Sequence, residues 1–210
     1  MVNASPGQIK AAAGSMSLVT LQTERLLLRP FEVSDGPAFH AYMSNPEVTR
    51  YTSFLPLSRE QAQEIVDNIV QSRTQAPSGT LPHAFAITLR GGGQLIGNCR
   101  LGRDKDNPDQ ADVAYFFDRH YWGQDYATEA VRALIDYGFE KLALRRIVAH
   151  CVPENVASWR VMEKVGMQKE EPITLYAAQG NFHQGAFQDV TYLRYAVHHP
   201  ARGERVQQAA

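Results

Sequence analysis

The sequence predicts an α+β fold built on a mixed, mostly antiparallel sheet of about seven strands with one parallel pair. Two observations carry that prediction. Gly91-Gly92-Gly93 separates strand-like runs at 83–89 and 94–101 and marks a hairpin, because glycine accepts a positive φ without strain. A strand at 112–117, an amphipathic helix at 126–142 and a buried strand at 146–152 form a strand-helix-strand unit, whose two strands run parallel.

Each element has its own signal. Leu26, Leu27 and Leu28 make a short buried strand over 24–29, ended by Pro30. Ser34 and Asp35 offer N-cap oxygens, and Pro37 a first-turn residue, to a helix through Phe39, Tyr42 and Met43. The stretch 45–56 reads as a loop that carries Tyr51 and Phe54. A capping box, Ser58-Arg59-Glu60-Gln61, opens a helix with Ala62, Ile65, Val66, Ile69 and Val70 on one face, ending before Pro77. In strand 112–117, Asp112, Ala114 and Phe116 share one face, and Val113, Tyr115 and Phe117 share the other. In helix 126–142, Ala127, Ala130, Val131, Leu134, Gly138 and Leu142 face inward. Asn155 caps a short helix that buries Trp159, Met162 and Val165 and that Gly166 stops. Strands at 173–178 and 190–197 flank a Gly- and Gln-rich loop. The domain organisation expected is a flexible extension over 1–20, one domain over 21–198 and a tail over 199–210.

Composition excludes several function classes. The chain has 210 residues, 44% of them hydrophobic, with 21 basic and 22 acidic side chains and a net charge of −1. That balance leaves no basic footprint for nucleic acid or an anionic membrane. No apolar run approaches the ~18 residues of a spanning helix, and the first residues lack a signal-peptide core. Two cysteines, Cys99 and Cys151, cannot staple a domain of this size, so a reduced, cytoplasmic protein is expected.

The segment Tyr121-Trp122-Gly123-Gln124-Asp125-Tyr126-Ala127-Thr128-Glu129-Ala130 joins a strand to a helix N-terminus. Backbone N–H groups without intrahelical partners and the helix dipole favour an anion there. Gly123 and Ala127 are small where a phosphate needs the backbone close, and Thr128 adds a hydroxyl. Taken alone, the same residues also describe an ordinary tight turn and helix start. A second segment, Val152-Pro153-Glu154-Asn155-Val156-Ala157-Ser158 through Glu163-Lys164-Val165-Gly166, follows the next strand.

Together the two segments resemble the GNAT superfamily of acetyl-CoA-dependent N-acetyltransferases, and within it the ribosomal-protein, Rim-type branch. Thr23-Glu24-Arg25-Leu26-Leu27-Leu28-Arg29 and Ile96-Gly97 share the likeness, which runs in order from about residue 21 to 197. It implies that the parallel pair is splayed and that helices lie on both faces of the sheet. It implies acetyl-CoA as co-substrate and a primary amine as acceptor, either a small molecule or a protein N-terminus; a homodimer is compatible with the family. The resemblance also assigns roles. Backbone N–H groups from Trp122 through Gly123, Gln124, Asp125, Tyr126 and Ala127 to Thr128 would hold the CoA pyrophosphate. Main chain at Phe116 and Phe117 would bond the pantetheine arm, Asn155 would hold the wedge and the arm, and Ser158 would face the sulfur. Asp125 departs from the family, which usually has glycine there. Aspartate tolerates a left-handed backbone better than most residues. A carboxylate turned inward, about 6 Å from a phosphate charge, would repel it by roughly 3 kcal/mol at an effective dielectric of about 20.

Acetyl transfer from a thioester needs a neutral amine, a polarised carbonyl and a protonated leaving thiolate. Asp112, at a position where many family members carry an acid, is the expected general base, direct or through water; the plainer reading is an exposed strand carboxylate. Ser158 is the expected acid or sulfur-positioning group, because this branch has serine where other members use a tyrosine further along, a position that is Met162 here. His150 is an alternative base, though a strand histidine facing the surface is the plainer reading. Cys99 and Cys151 read as buried structural thiols. No metal is expected, since no His pair has helical i, i+4 spacing and Asp104, Asp106 and Asp109 lack the other features of a calcium loop. The acceptor is expected between loops 45–56 and 180–188, where Tyr51, Phe54, Phe182 and Phe187, with Glu47 and Asp189, suit a cationic amine. Two rival functions remain open: transfer of another acyl group, and a non-catalytic CoA-binding regulatory module that has lost turnover, a reading that Asp125 keeps open.

Overall fold

A computed structural model of the chain describes residues 19–75, 83–178 and 187–200. The expectations for the extension before residue 19, for Pro77, for the loop around Phe182 and for the tail beyond residue 200 lie outside the described residues.

In chain order the elements are β1 (Leu21–Gln22), β2 (Leu26–Pro30), α1 (Gly36–Met43), α2 (Arg59–Gln75), β3 (His83–Leu89), β4 (Leu95–Arg103), β5 (Gln110–Phe117), α3 (Tyr126–Glu140), β6 (Arg146–Cys151), α4 (Val156–Lys164), β7 (Gln168–Ala178) and β8 (Phe187–His198). Short 3-10 turns at Val33–Asp35 and Arg119–Tyr121 precede α1 and α3. The strands form one sheet in the order β1-β2-β3-β4-β5-β6-β8-β7. Every pairing is antiparallel except β5 with β6. The α+β class and the single parallel pair are as expected.

Three local expectations change. The sheet has eight strands, because Leu21 and Gln22 pair with Leu28 and Leu27 over a stretch too short to show a period. Strand β7 starts at Gln168, not 173; the ladder slips between Glu170 and Ile173, across Pro172, so its first half reads as a turn in sequence. Asp35 does not cap α1 with its side chain. Its carboxylate instead accepts from Arg29 Nη1 and Nη2 at 2.8 and 2.7 Å and from Glu32 N at 2.8 Å. The capping box of α2 forms as read, with Ser58 N donating to Gln61 Oε1 at 2.9 Å and Gln61 N to Ser58 Oγ at 3.2 Å.

Helices cover both faces. On one side α3 and α4 bury Leu134, Val131 and Met162 against Leu28, Ile87, Val113 and Ile147. On the other, α1 and α2 bury Phe39, Tyr42, Ala62 and Val66 against Ala86. Each such Leu, Ile, Val or Phe contributes about 1.5–3 kcal/mol relative to exposure.

The feature that positions the site is a fork. Strands β5 and β6 pair only where Gln110, Ala111 and Asp112 meet Arg146, Ile147 and Val148. Beyond Asp112 the two diverge. Each arm is held along its outer edge, β5 to β4 as far as Phe117 and β6 to β8 as far as Cys151. The inner edges of the arms therefore carry main-chain donors and acceptors with no strand between them.

Candidate active site at the sheet fork

Strand parity decides which residues offer main chain to the fork. Asp118 N donates to Ile96 O at 2.9 Å, which makes Phe116 and Asn98 a mutually hydrogen-bonded pair in the same register. Phe116 therefore turns its peptide groups toward β4, while Tyr115 and Phe117 turn theirs into the fork. The carbonyl of Phe117 is engaged there by Trp122 Nε1 at 2.8 Å. Of the two phenylalanines read as main-chain ligands, Phe117 turns its peptide groups into the fork and Phe116 does not; Tyr115 shares the orientation of Phe117. The alternation that assigns side chains to faces also assigns peptide groups, so this parity was available once the β4–β5 register was known.

At the open end of the fork the chain turns from Phe117 into α3. Trp122 N is spent on Arg119 O at 3.1 Å. The first helical bond inside α3 runs from Glu129 N to Asp125 O at 3.0 Å, so the amides of Tyr126, Ala127 and Thr128 precede the ladder. Gly123 has φ 73° and a Cβ added to it would meet nothing within 4 Å, so the turn is open on that side. Asp125 has φ 60°, the left-handed conformation that explains why glycine suits this position. Its carboxylate is tied to the end of α4, where Oδ1 accepts from Lys164 Nζ at 2.6 Å, and it also lies near enough to the Thr128 hydroxyl to be acted on by it. That ammonium, first by its hydrogen bond, holds the Asp125 carboxyl below its ordinary range. Thr128 is buried, and although it helps to hold Asp125 low, its Oγ1 makes no hydrogen bond of ordinary geometry.

One side chain from each arm of the fork brackets Ser158. Asn155 caps α4 by accepting from Ser158 N at 3.2 Å. Tyr115 Oη, from β5, lies 3.0 Å from both the carbonyl oxygen and Oγ of Ser158. From β6 comes Cys151, whose thiol burial pushes up to about 11, with a hydrogen bond from Ser158 drawing it back. Burial raises the Tyr115 phenol well above its ordinary value, so it stays a donor at neutral pH. Sequence reasoning missed Tyr115 as a site residue; the signal was a single hydroxyl in the otherwise apolar run Val113–Phe117, just past the fork.

A family model described as acetyltransferase (GNAT) domain matches residues 25–168. The chain belongs to the GNAT acetyltransferase family. It is 35% identical over 152 residues to the uncharacterized N-acetyltransferase p20 of Bacillus licheniformis, covering 72% of this chain and 83% of that protein. A crystal structure of a GNAT-family acetyltransferase from Bacillus anthracis superposes with a TM-score of 0.72 at 29% identity, over 86% of this chain and 98% of that one. The ribosomal-protein-S5-alanine acetyltransferase of Vibrio fischeri shares the fold at 20% identity, with a TM-score of 0.67 over 86% of this chain and 96% of that one.

In this GNAT acetyltransferase Asp112 sits at the base of the fork, the last β5 residue paired to β6. Its Oδ2 is ion-paired with Arg100 Nη2 at 2.8 Å. Gly102 makes room for that pair, since a Cβ there would lie 2.6 Å from Asp112 Oδ1. His150 lies on the same sheet face, two residues past Val148 on β6. His150 is exposed on that face, as the plainer reading of a surface strand histidine expects; partial desolvation lowers its proton affinity and Asp112 pulls the other way. Across the face, the 45–56 loop is pinned by Phe54, whose ring centroid lies 6.2 Å from that of Phe116. Glu47 is ion-paired to Arg119 at 2.7 Å, so its charge is already matched within the GNAT acetyltransferase itself. Cys99 and Cys151 are free and buried, as read. Among the described residues no cluster of three or more His, Cys, Asp or Glu could hold a metal, and no helix is long and apolar enough to cross a membrane.

Proposed function

We propose that this acyltransferase carries the acetyl group of acetyl-CoA to a primary amine, a small molecule or a protein N-terminus, by direct attack of the amine on the thioester. The observation that supports it best is the fork itself: inner-edge peptide groups, a turn with unladdered amides at its mouth, and a serine bracketed between the arms. Two details fit the CoA end. Thr128 Oγ1 is buried without an ordinary partner, in the helical turn where a phosphate oxygen would lie. Gly123 leaves the loop open on its outer side.

Acetyl-CoA supplies an activated acyl group on a thiolate leaving group. The residues divide the remaining work. The amides of Gly123, Gln124, Asp125, Tyr126, Ala127 and Thr128 receive the pyrophosphate, and Tyr115 and Phe117 main chain orients the pantetheine. Asn155 fixes the start of α4, and Ser158 holds a proton at Oγ for the leaving sulfur. Asp112 takes the proton from the amine, directly or through water. His150 is a second candidate for that step, favoured by its place on the same sheet face and by the tie between Asp112 and Arg100. Holding both substrates in one groove supplies much of the rate.

The Rim-type branch is supported by the Trp122-Gly123 loop and the Asn155–Gly166 segment, and a cationic amine acceptor by the aromatics Tyr51 and Phe54 with Glu47 nearby. A cytoplasmic location goes with acetyl-CoA use and two unpaired thiols. The ion pair with Lys164 offsets the Asp125 charge that motivates the module reading, and thiol release distinguishes a transferase from such a module.

Calorimetry with acetyl-CoA, followed by thiol release over a panel of amines, tests the proposal. At 100 times the dissociation constant the ligand adds about 2.7 kcal/mol, a rise in melting temperature of roughly 5–11 °C for a domain this size. Absence of binding at millimolar acetyl-CoA overturns the reading. Binding with turnover only from longer acyl-CoAs replaces the acetyl group and keeps the site.

A further inference from the structure

Two carboxylates sit where a pyrophosphate is to be received, and each is matched by a cation from elsewhere in the fold. Asp125 is met by Lys164; Glu129, in the first turn of α3, is met by Arg25, about a hundred residues earlier in the chain. The second arrangement is the more elaborate. Glu129 Oε1 accepts from Thr23 Oγ1 at 2.5 Å and from Arg25 N at 2.8 Å, and Oε2 accepts from Arg25 Nε at 2.7 Å. The same guanidinium donates through Nη1 to the loop carbonyl of Gln124 at 3.0 Å and stacks on Tyr126, with Cζ 4.5 Å from the ring centroid. One side chain thus grips three positions across the turn and helix start: 124, 126 and 129. The segment that carries it is held in turn by Arg90, whose backbone N donates to Arg25 O and whose Nη1 donates to Thr23 O, both at 2.9 Å.

We propose that Arg25 is a positioning residue for the phosphate end of acetyl-CoA: it holds the Gln124 carbonyl back from the amide-lined turn and cancels the Glu129 charge beside it. The inference rests on the reading that this turn receives a pyrophosphate. Without Arg25, Glu129 would keep a mostly buried negative charge at the one helix end meant to attract an anion. Lysine cannot stand in. An ammonium is a single point of charge and cannot bond carboxylate and carbonyl in fixed directions while lying flat on Tyr126.

The test compares acetyl-CoA with acetyl-pantetheine, which keeps the thioester and lacks the pyrophosphate. Arg25→Gln is expected to raise the calorimetric Kd for acetyl-CoA by roughly 10-fold or more and to leave the KM for acetyl-pantetheine unchanged. Adding Glu129→Gln is expected to recover much of the lost affinity, because the uncancelled charge is then gone. Arg25→Lys, which keeps the charge and is the safer variant for folding, is expected to recover less than that double variant. Melting of the ligand-free proteins reports any loss of fold. Equal losses with both donors, or no recovery in the double variant, would mean that Arg25 serves folding alone and overturns the proposal. Failure of the unaltered protein to bind acetyl-CoA overturns the functional reading beneath it; normal binding with an unchanged Kd in Arg25→Gln overturns this inference only.

Discussion

Lys164 Nζ lies 2.6 Å from Asp125 Oδ1, joining the last residue of α4 to the residue before α3. The pair is well exposed, at 56% and 60% of the side-chain surface, so it adds little stability. Its effect is directional. It ties the carboxylate of a residue that stands where glycine is usual to a neighbouring helix and offsets its charge beside the turn.

The left-handed backbone at Asp125 sets the tolerance of that position. Asp125→Asn is expected to keep the melting temperature, since asparagine accepts φ 60° readily. Asp125→Val is expected to cost about 1–2 kcal/mol, a drop of roughly 2–8 °C by scanning calorimetry. Equal melting of the two variants would show that the turn relaxes out of this conformation.

Ser158→Ala is expected to lower turnover at least ~10-fold while leaving the Kd for acetyl-CoA nearly unchanged, because a hydroxyl that protonates the leaving sulfur acts mainly in the transition state. Tyr115→Phe removes its hydroxyl partner and is expected to cost about 0.5–1.5 kcal/mol in denaturant unfolding. Unchanged turnover in Ser158→Ala removes the serine from the chemistry.

Two pH profiles separate the candidate bases. Asp112→Asn is expected to move the rising limb of kcat/KM to higher pH; an unmoved limb makes Asp112 structural. For His150 the folded ring binds a proton less readily than the unfolded one, whose value is 6.5. Its contribution to stability is therefore complete above that pH and is lost as pH falls through the lower folded value. In His150→Asn the melting temperature should decline less between pH 7 and pH 5, and an identical decline would argue against the lowered affinity.

Gly97 supports the inner arm from behind. A Cβ there would lie 2.4 Å from Phe116 O and 2.9 Å from the Phe117 ring. Gly97→Ala is expected to destabilise by about 1–3 kcal/mol and to weaken acetyl-CoA binding as well, through displacement of Phe117. Loss of stability with an unaltered Kd would detach Phe117 from the pantetheine path.

Much of this was legible in the amino acids. Periodicity found both long helices, the hairpin at Gly91–Gly93 and the strand-helix-strand unit, because each depends on neighbours close in sequence. The Ser58–Gln61 box and the Asn155 cap formed for the same reason. What local pattern could not supply was partnership at long range. Asp35 looks like a cap until Arg29 is beside it, and Asp125 looks like a phosphate-repelling charge until Lys164 is. Asp112 looks like a free base until Arg100 folds over Gly102 to meet it. That Tyr115 rather than Phe116 turns its peptide groups into the fork depends on inter-strand register, which one strand's own sequence does not state.

Strand β8 lies between β6 and β7 in the sheet although it is the last of the three in the chain. During synthesis, β6 emerges with α3 already made and α4 still to follow, but its outer edge has no partner until Phe187–His198 has been made. The earlier strands can pair as they appear, each with the one before it. One arm of the fork is thus braced early and the other only when the chain is nearly finished, so a nascent or C-terminally clipped protein presents a bare strand edge, open to pairing with other chains, in place of a closed groove. Acetyl-transfer competence and protection from aggregation arrive together, with the same strand.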